Sequence, residues 1–313
     1  MHANELIGLL VVLGCVAAVY TAEAVLIAAY VGRRLHGRPA RGILLARWAI
    51  VLHIVAAVGL ACFLYAWLIE PYWLDVTHVE LPTPKLSQAV FRVVHISDLH
   101  CERRPRCEQK LVTIINNLEP DLIFFTGDAV NDPRASDLFR RTMSGLRASL
   151  GKFAVCGNHD MHYADRLDLF AGTGFVLQDA NTATITKNGE SITVIGVSPH
   201  RTHDAAPLLA EAPDDRFTVF LMHFSSLVEK LAGPGLDLYL AGHTHGGQVR
   251  LPFYGAIVTM ERFGKRYEAG LYRVGPTSLH VSRGIGMLGR PAPPVRFLAR
   301  PQIAVFDIRP QSD

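Results

Sequence analysis

The chain has 313 residues, 50% hydrophobic and 19% charged, with a mean hydropathy of +0.21. This composition excludes an intrinsically disordered chain, and five cysteines are too few for a small disulfide-stapled scaffold. The net charge of +3 lacks the basic excess of nucleic-acid binders, so no nucleic-acid partner is expected.

Two long apolar runs begin the chain. Residues 6–31 hold one formally charged side chain, Glu23, and residues 48–69 hold none. Each run exceeds the ~20 residues that a helix needs to cross a bilayer, and neither shows the polar face of a buried core helix. A cleaved signal peptide is disfavoured because Met1–Glu5 carries no Lys or Arg. We therefore predict that residues 1–70 form a transmembrane hairpin that anchors the chain in the bilayer.

The loop between the runs sets the expected orientation. It holds five arginines and no acidic residue: Arg33, Arg34, Arg38, Arg41 and Arg47. Because Lys and Arg favour the cytoplasmic side, we expect a multi-pass protein of the cytoplasmic membrane whose remaining chain lies on the periplasmic or extracellular side. Trp67, Tyr72 and Trp73 suit the outer interface. Glu23 and His53 are open to three interpretations: a functional pair, a structural contact or a dimer seam. The oligomeric state is left open.

After the hairpin we expect an extended linker over residues 71–90 and one domain over residues 91–313. Short apolar runs alternate with helical stretches, and Lys110–Leu118 is the clearest predicted helix. The predicted strands are Phe91–Ile96, Leu122–Thr126, Phe153–Cys156, Ile192–Val197, Phe217–Met222, Leu238–Ala241, Leu279–Ser282 and Ile303–Ile308. This alternation predicts an α/β (α+β) layered domain.

Asp, Asn and His residues follow five of these strands. The motifs are Asp98-Leu99-His100, Gly127-Asp128, Gly157-Asn158-His159-Asp160, His223 and Gly242-His243-Thr244-His245. Strand ends and their loops build the sites of α/β proteins, so five such ends together predict a functional site. Carboxylate and imidazole donors without thiolates suit Mn, Zn or Fe. Asp128 is the natural bridging carboxylate, and Asn158 offers a neutral oxygen.

In their order and spacing these motifs resemble the calcineurin-like metallophosphoesterase superfamily, over about residues 91–308. The extended Gly242–Gln248 motif resembles a bacterial branch whose members often carry transmembrane segments or export signals. The resemblance implies a four-layer αββα sandwich with two metal ions at the strand ends. This chain departs from the usual sequence pattern of the branch at Ser225 and at Gln302. Neither departure removes a ligand, but both concern the shape of the opening through which the substrate enters.

The resemblance also assigns roles to residues. Asp98, His100 and His245 would hold one metal ion, and Asn158, His223 and His243 the other, with Asp128 as the bridge. His159 would act on the leaving group as an acid or phosphate contact, and Asp160 would orient its ring. Arg283 and Arg296 are candidates for contacts to substrate phosphate, since guanidinium matches phosphate bidentately, and the alternative for each is a structural or surface ion pair.

The implied function is a membrane-anchored phosphohydrolase that cleaves phosphate esters by in-line attack of a metal-bound hydroxide. Its substrate could be lipid-linked, because an anchor raises the local concentration of such a substrate. One alternative is a pyrophosphatase that acts on UDP-2,3-diacylglucosamine in lipid A biosynthesis, although the expected orientation argues against a nucleotide-linked lipid. A second alternative is a non-enzymatic, metal-binding membrane scaffold. The sequence leaves open whether a monoester, a diester or a pyrophosphate is cleaved.

Overall fold

The computed structural model describes residues 2–163, 166–288 and 293–311. It begins with helix α1 (Ala3–Leu35), a short helix α2 (Arg41–Leu44) and helix α3 (Arg47–Leu68). Both long helices are long and apolar enough to cross a membrane, and only 6% and 17% of their most apolar windows are buried. They therefore do not serve as the core of a soluble fold. Between them, His53 Nδ1 lies 2.7 Å from Glu23 Oε1, so these two residues contact each other.

The rest of the chain forms short helices and two large sheets. The helices are α4 (Glu108–Asn117), α5 (Ser136–Ser144), α6 (Ala205–Ala210) and α7 (Val228–Leu231). The strands are β1 (Asp75–Thr83), β2 (Phe91–Ile96), β3 (Leu122–Phe125), β4 (Gly151–Ala154), β5 (Val176–Leu177), β6 (Asn181–Lys187), β7 (Glu190–Gly196), β8 (Phe217–Leu221), β9 (Leu238–Ala241), β10 (Arg250–Leu251), β11 (Gly255–Ala256), β12 (Gly270–Val274), β13 (Thr277–Val281) and β14 (Gln302–Pro310).

Each large sheet has six strands. The first has the order β1-β14-β2-β3-β4-β5, and the second has the order β12-β13-β9-β8-β7-β6. Strands β2 to β5 run parallel to one another, as do β7, β8, β9 and β13. Strands β10 and β11 form a separate antiparallel pair. Parallel strands direct their carboxyl ends to the same edge of a sheet, which is where the predicted site residues follow.

The two sheets pack face to face, with helices on their outer faces. In β3, Leu122 and Phe124 pack in the core between the sheets, whereas Ile123 and Phe125 pack in a second core with α4 and α5. The same alternation in β9 directs Tyr239 into a third core with α6 and α7. This period of two is the signature of strands buried on both faces. The result is the four-layer αββα sandwich that the resemblance implied.

The structure differs from the expected linker over residues 71–90. Residues 75–83 form β1, which pairs in parallel with the whole of β14, from Asp75 opposite Gln302 to Thr83 opposite Pro310. Pro82 and the polar residues His78 and Glu80 interrupt the apolar pattern by which a strand is predicted from sequence. A strand at a sheet edge tolerates such residues because only one side of its backbone must be paired. The hairpin is thus followed directly by a structural part of the domain.

Candidate metal centre

Five strand ends bring the predicted ligands to one edge of the sandwich. Among the described residues, Asp98, His100 and His245 form one group of potential metal ligands, and Asp98, Asp128 and His223 form a second. Within each group, one ligand atom of every residue lies within 4.8 Å of the others, and all of these side chains are buried. Five of the seven predicted ligands are thus assembled into two adjoining groups.

Asp128, a member of the second group, lies close to a histidine of each group. Its Oδ2 is 3.4 Å from Nε2 of His100 and 3.4 Å from Nε2 of His223. Asp98 Oδ1 is likewise 3.4 Å from Nε2 of His245. Two donors that each lie about 2.1 Å from one tetrahedral ion are about 3.4 Å apart, so these spacings suit shared ions. The central position of Asp128 Oδ2 fits a carboxylate that serves both groups.

The remote nitrogens of three histidines are fixed by oxygen acceptors. His223 Nδ1 donates to the carbonyl of Thr126 at 2.6 Å, and His100 Nδ1 donates to Oδ1 of Asn131 at 2.7 Å. His243 Nε2 donates to the carbonyl of Met260 at 3.3 Å. In a neutral ring, each of these bonds leaves the other nitrogen with a lone pair. This is how metal-binding histidines are usually oriented.

His245 lacks such a partner among the described residues. Its buried Nδ1 makes no hydrogen bond, and its Nε2 lies 3.1 Å from Nε2 of His100. The two Nε2 atoms face each other at hydrogen-bond distance, and two lone pairs in that position are unfavourable unless a proton or a cation lies between them. A cation between the two rings would satisfy the arrangement, so the residues fit a divalent ion.

Burial and charge set the protonation of the centre. Burial lowers the pKa of His243 to about 4 and holds the pKa of His245 well below its usual value, so both rings are neutral near pH 7. Burial also lowers the pKa of His223, but the carboxylates of Asp128 and Asp98 outweigh it and raise that pKa to about 10. Without a metal ion, the proton on His223 is the countercharge of Asp128. A bound cation would replace that proton.

Asn158 and His243 lie beside the second group. Asn158 Oδ1 is 3.1 Å from Nε2 of His223, and the ring centroids of His223 and His243 are 5.1 Å apart. The backbone N–H of His243 donates to both oxygens of Asp98, each at 3.1 Å. The structure therefore places all seven predicted ligands around one centre, although Asp98, and not His243, completes the second group of three.

Most of the ligands have a strained backbone. Five of them have positive φ values between 40° and 71°: Asp98, His100, Asp128, His243 and His245. Outside glycine this conformation costs on the order of 1 kcal/mol per residue and persists where the surrounding structure enforces it. Such strain concentrates at functional sites, which supports the assignment independently of the side-chain distances.

Two glycines allow the close approaches at the centre. A Cβ at Gly157 would overlap Oδ1 of Asp128, and a Cβ at Gly242 would overlap Oδ2 of Asp98. Any other residue would push these carboxylates away from their positions. The glycines of the Gly-Asn-His-Asp and Gly-His-Thr-His motifs thus have a packing role at the metal centre.

Asp160 differs from its expected role of orienting the ring of His159. Its carboxylate accepts hydrogen bonds from the backbone N–H groups of Gly157, Asp128 and Ala129, each at 2.8 Å. It is fully buried, and burial together with the charge of Asp128 raises its pKa to about 6. Asp160 therefore joins the loop that carries Asp128 to the loop that carries Asn158 and His159.

His159 lies next to the centre and is partly exposed. Its ring centroid is 4.9 Å from that of His100, and its backbone N–H donates to Oδ1 of Asp128 at 2.8 Å. Burial lowers its pKa, while the charge of Asp128 acts in the opposite direction. The ring is thus close to the ligands and open to a molecule from solvent.

The two arginine candidates have different surroundings. Arg296 is fully buried, and its guanidinium donates to the backbone carbonyls of Gly286, Ala299 and Gly284. The predicted phosphate contact of Arg296 is therefore wrong, because its donors are occupied inside the protein. Arg283 pairs with Asp75 at 2.7 Å, and its buried Nε has no partner among the described residues.

Asn131 is a site residue that the sequence reasoning did not assign. Besides accepting from His100, its amide donates to the carbonyl of Met287 at 2.9 Å. It thereby orients the ring of His100, a candidate metal ligand, and joins two loops of the centre. Its position three residues after Asp128, in the same strand-end loop, is the sequence feature that could have identified it as a site residue.

The comparisons agree with this geometry. The family model described as calcineurin-like phosphoesterase matches residues 91–247, a span that contains all seven predicted ligands. A Bacillus subtilis (strain 168) protein named "uncharacterized metallophosphoesterase YkuE" is 32% identical, over 78% of this chain and 89% of the relative. The Escherichia coli (strain K12) protein "phosphodiesterase YaeI" is 29% identical, over 76% of this chain and 90% of the relative.

A relative from Bos taurus also has a name that mentions the membrane. It is called "transmembrane protein with metallophosphoesterase domain" and is 28% identical, over 69% of this chain and 53% of the relative. The similarity thus extends to a protein named for both a transmembrane part and this kind of domain.

Replacement of the bridging carboxylate tests the metal centre. Asp128→Asn should reduce bound Mn²⁺ to about one ion per chain or fewer, because the shared negative charge of this carboxylate would hold two cations together. Elemental analysis after Mn²⁺ loading and desalting measures this. The matched control is Asp132→Asn, four residues along and outside both groups. Two retained ions with full turnover would contradict the assignment.

Replacement of the buried arginine tests its structural role. Arg296→Met should lower the free energy of unfolding by about 3 kcal/mol or more, because several buried carbonyls lose a charged donor. The melting temperature should then fall by roughly 5–10 °C. Arg309→Met is the control, since Arg309 makes a more exposed ion pair with Glu80 that is worth about 1 kcal/mol or less. If Arg296→Met leaves the melting temperature unchanged and raises KM, Arg296 contacts the substrate after all.

Proposed function

The chain belongs to the calcineurin-like phosphoesterase family and is a metal-dependent phosphoester hydrolase, and from that premise we propose a membrane-anchored phosphohydrolase that uses two metal ions. Water would attack phosphorus in line, opposite the leaving oxygen. The observation that carries the proposal is the position of Asp128 Oδ2, 3.4 Å from a histidine of each group.

Each metal ion would have its own set of ligands. Asp98, His100 and His245 would hold one ion, and Asn158, His223 and His243 the other, with Asp128 shared between them. The donor set of carboxylates, imidazoles and one amide oxygen favours Mn, Fe or Zn. When bound, such ions supply charge neutralisation for the phosphoryl oxygens and lower the pKa of a water molecule.

His159 would supply the proton for the leaving group. As the bond between phosphorus and the leaving oxygen breaks, the imidazolium would transfer its proton to that oxygen. The position of this ring beside His100, with an open side, supports the role. Asp160 would act as a positioning residue, because it fixes the backbone on which both His159 and Asp128 lie.

Arg283 is the remaining candidate for a contact to substrate phosphate. It lies against the loop that carries His245, since a Cβ at Gly246 would be 3.0 Å from Cγ of Arg283. Its side chain is 24% exposed and donates to Asp75 through Nη2, so the guanidinium keeps N–H groups that have no acceptor among the described residues. A phosphoryl oxygen is the kind of acceptor that such a donor would bind.

A substrate panel tests the proposed reaction. The full chain, loaded with Mn²⁺, should hydrolyse at least one of three probes, namely a nitrophenyl monoester, a bis-nitrophenyl diester and a UDP-linked acylated sugar. Asp128→Asn should abolish that activity, whereas Asp132→Asn should retain it. Absence of hydrolysis for all three probes by fully loaded protein would favour the non-enzymatic alternative.

The role of His159 has a separate test. His159→Ala should keep both metal ions but lower kcat by about 100-fold for poor leaving groups, with a smaller effect for nitrophenolate, which needs no proton. In the parent protein kcat should decrease as the pH rises through the pKa of His159, and the variant should lack this decrease. His162→Ala, at a neighbouring ring, is the control. Loss of metal from His159→Ala would make His159 a ligand.

The hairpin would place the domain outside the cytoplasm. Five arginines lie in the last turn of α1, at the start of α3 and in the short connection between them, and they favour a cytoplasmic position for that connection. The last turn of α3 contacts the domain through the carbonyl of Ala66, and the first turn of α1 contacts it through Glu5, as expected if both helix ends lie on its side of the membrane. The protein would then be a multi-pass protein of the cytoplasmic membrane with a periplasmic or extracellular catalytic domain.

Reporter fusions test this orientation. Alkaline phosphatase fused after Gln88 should be active, and a green fluorescent protein fused at the same point should be dark after Sec export. Fusions after Gly37, in the loop, should give the opposite pattern and serve as the control. The reverse result at both positions would place the domain in the cytoplasm and favour a nucleotide-linked lipid substrate.

A further inference from the structure

Three large apolar side chains on the surface of the domain share an unusual backbone. Phe253 is fully exposed, Met260 is 57% exposed and Leu298 is 47% exposed. Their φ values are +63°, +58° and +54°, a region that bulky residues avoid. An apolar side chain held in water by a strained backbone is unfavourable on two counts, and such strain is usually retained for function. We call these three residues the apolar rim.

Each rim residue lies next to an end of the apolar hairpin. Next to Met260, the backbone N–H and hydroxyl of Thr259 donate to Glu5 of α1, at 2.9 and 2.6 Å. The backbone N–H of Leu298 donates to Glu70, two residues after α3, at 2.9 Å. The rim thus surrounds the point where the hairpin meets the domain.

The rim also reaches along α1. The hydroxyl of Tyr254, next to Phe253, would be 3.1 Å from a Cβ at Gly8. Gly8 is five residues from the start of α1, about 7–8 Å along the helix axis. Phe253 and Leu298 line one cavity of about 330 Å³, so they share a face of the domain. If α1 enters the bilayer at its first residue, Gly8 lies about 7–8 Å deep, within the depth of about 5–10 Å at which interfacial apolar groups insert.

Charges around the rim fit a lipid surface. Lys265 lies 3.3 Å from the ring centroid of Tyr254, and Arg300 lies 4.2 Å from that of Trp73. Arg262 is exposed near Met260. The nearby carboxylates of Glu5 and Glu70 are buried and accept backbone N–H groups. The exposed charge beside the rim is therefore mainly basic, which attracts anionic headgroups.

The metal centre is directly connected to this surface. The carbonyl of Met260 accepts the hydrogen bond from His243. Arg250 lies in β10, whose turn to β11 carries Phe253, and it donates to the carbonyl of Gly246 at 3.1 Å. The loop that carries His243 and Gly246 therefore contacts both the metal centre and segments next to the apolar rim. A molecule in the headgroup layer would be close to the ligands.

We propose that Phe253, Met260 and Leu298 insert into the bilayer surface beside the metal centre, so that the substrate is a phosphate ester carried by a membrane lipid. The proposal rests on the proposed function and narrows it from phosphate esters in general to esters whose phosphate lies in the headgroup layer. The strained backbone presents the three side chains to the acyl chains, and the hairpin fixes the height of the centre above them.

Depth-dependent quenching tests the insertion. The full chain is placed in phosphatidylethanolamine–phosphatidylglycerol vesicles, with or without bromine on the upper acyl chain. The emission that Phe253→Trp adds to the parent protein should fall by at least half in brominated vesicles. Val90→Trp is the matched control, because Val90 is exposed and precedes β2, at the opposite end of the sheet from the centre. Equal added emission of Phe253→Trp in both vesicles would overturn the proposal.

Activity tests the substrate class. Phe253→Ser should lower hydrolysis of a phosphatidyl-nitrophenol ester in the same vesicles at least tenfold, and leave hydrolysis of soluble bis-nitrophenyl phosphate within twofold. Val90→Ser should change neither. A parent protein that hydrolyses only the soluble diester would refute the lipid substrate and leave the proposed function standing. A parent protein that hydrolyses neither probe would refute the proposed function, while the quenching still decides the insertion.

Discussion

Burial of two carboxylates at adjoining strand ends is the constraint on which the site depends. Asp98 and Asp128 are almost inaccessible to solvent and belong to the same group of potential ligands. Two buried negative charges this close are unfavourable unless cations compensate them. His243 and His245 are neutral near pH 7, and the proton on His223 offsets one charge at most, so bound metal ions would supply the rest of the compensation. The glycines and strained ligand backbones follow from this arrangement, because they bring the carboxylates close together.

The surrounding structure holds this arrangement in place through buried charges of its own. Asp160 binds three backbone N–H groups of the ligand loops, and Arg296 binds carbonyls of the loop over residues 283–286. Glu70 connects the end of α3 to the segment that carries Arg296. The hairpin and the metal centre are therefore joined by short chains of hydrogen bonds.

The sequence predicted most of the fold because its signals are local. Phe91–Ile96 and Leu238–Ala241 are uninterrupted apolar runs, and both were predicted with their observed bounds. β1 was missed because its polar residues and proline make sense only beside β14, more than 200 residues away. The roles of Asp160 and Arg296 were also beyond the sequence. Whether a charged side chain faces a ring, a substrate or backbone groups depends on distant loops that no local pattern specifies.

Anomalous X-ray diffraction from crystals grown with Mn²⁺ tests the central claim most directly. The account predicts two anomalous peaks, one within bonding distance of Asp98, His100 and His245 and one within bonding distance of His223, with Asp128 contacting both. A single peak, or peaks that Asp128 does not bridge, would contradict the claim that this buried carboxylate organises a centre of two metal ions.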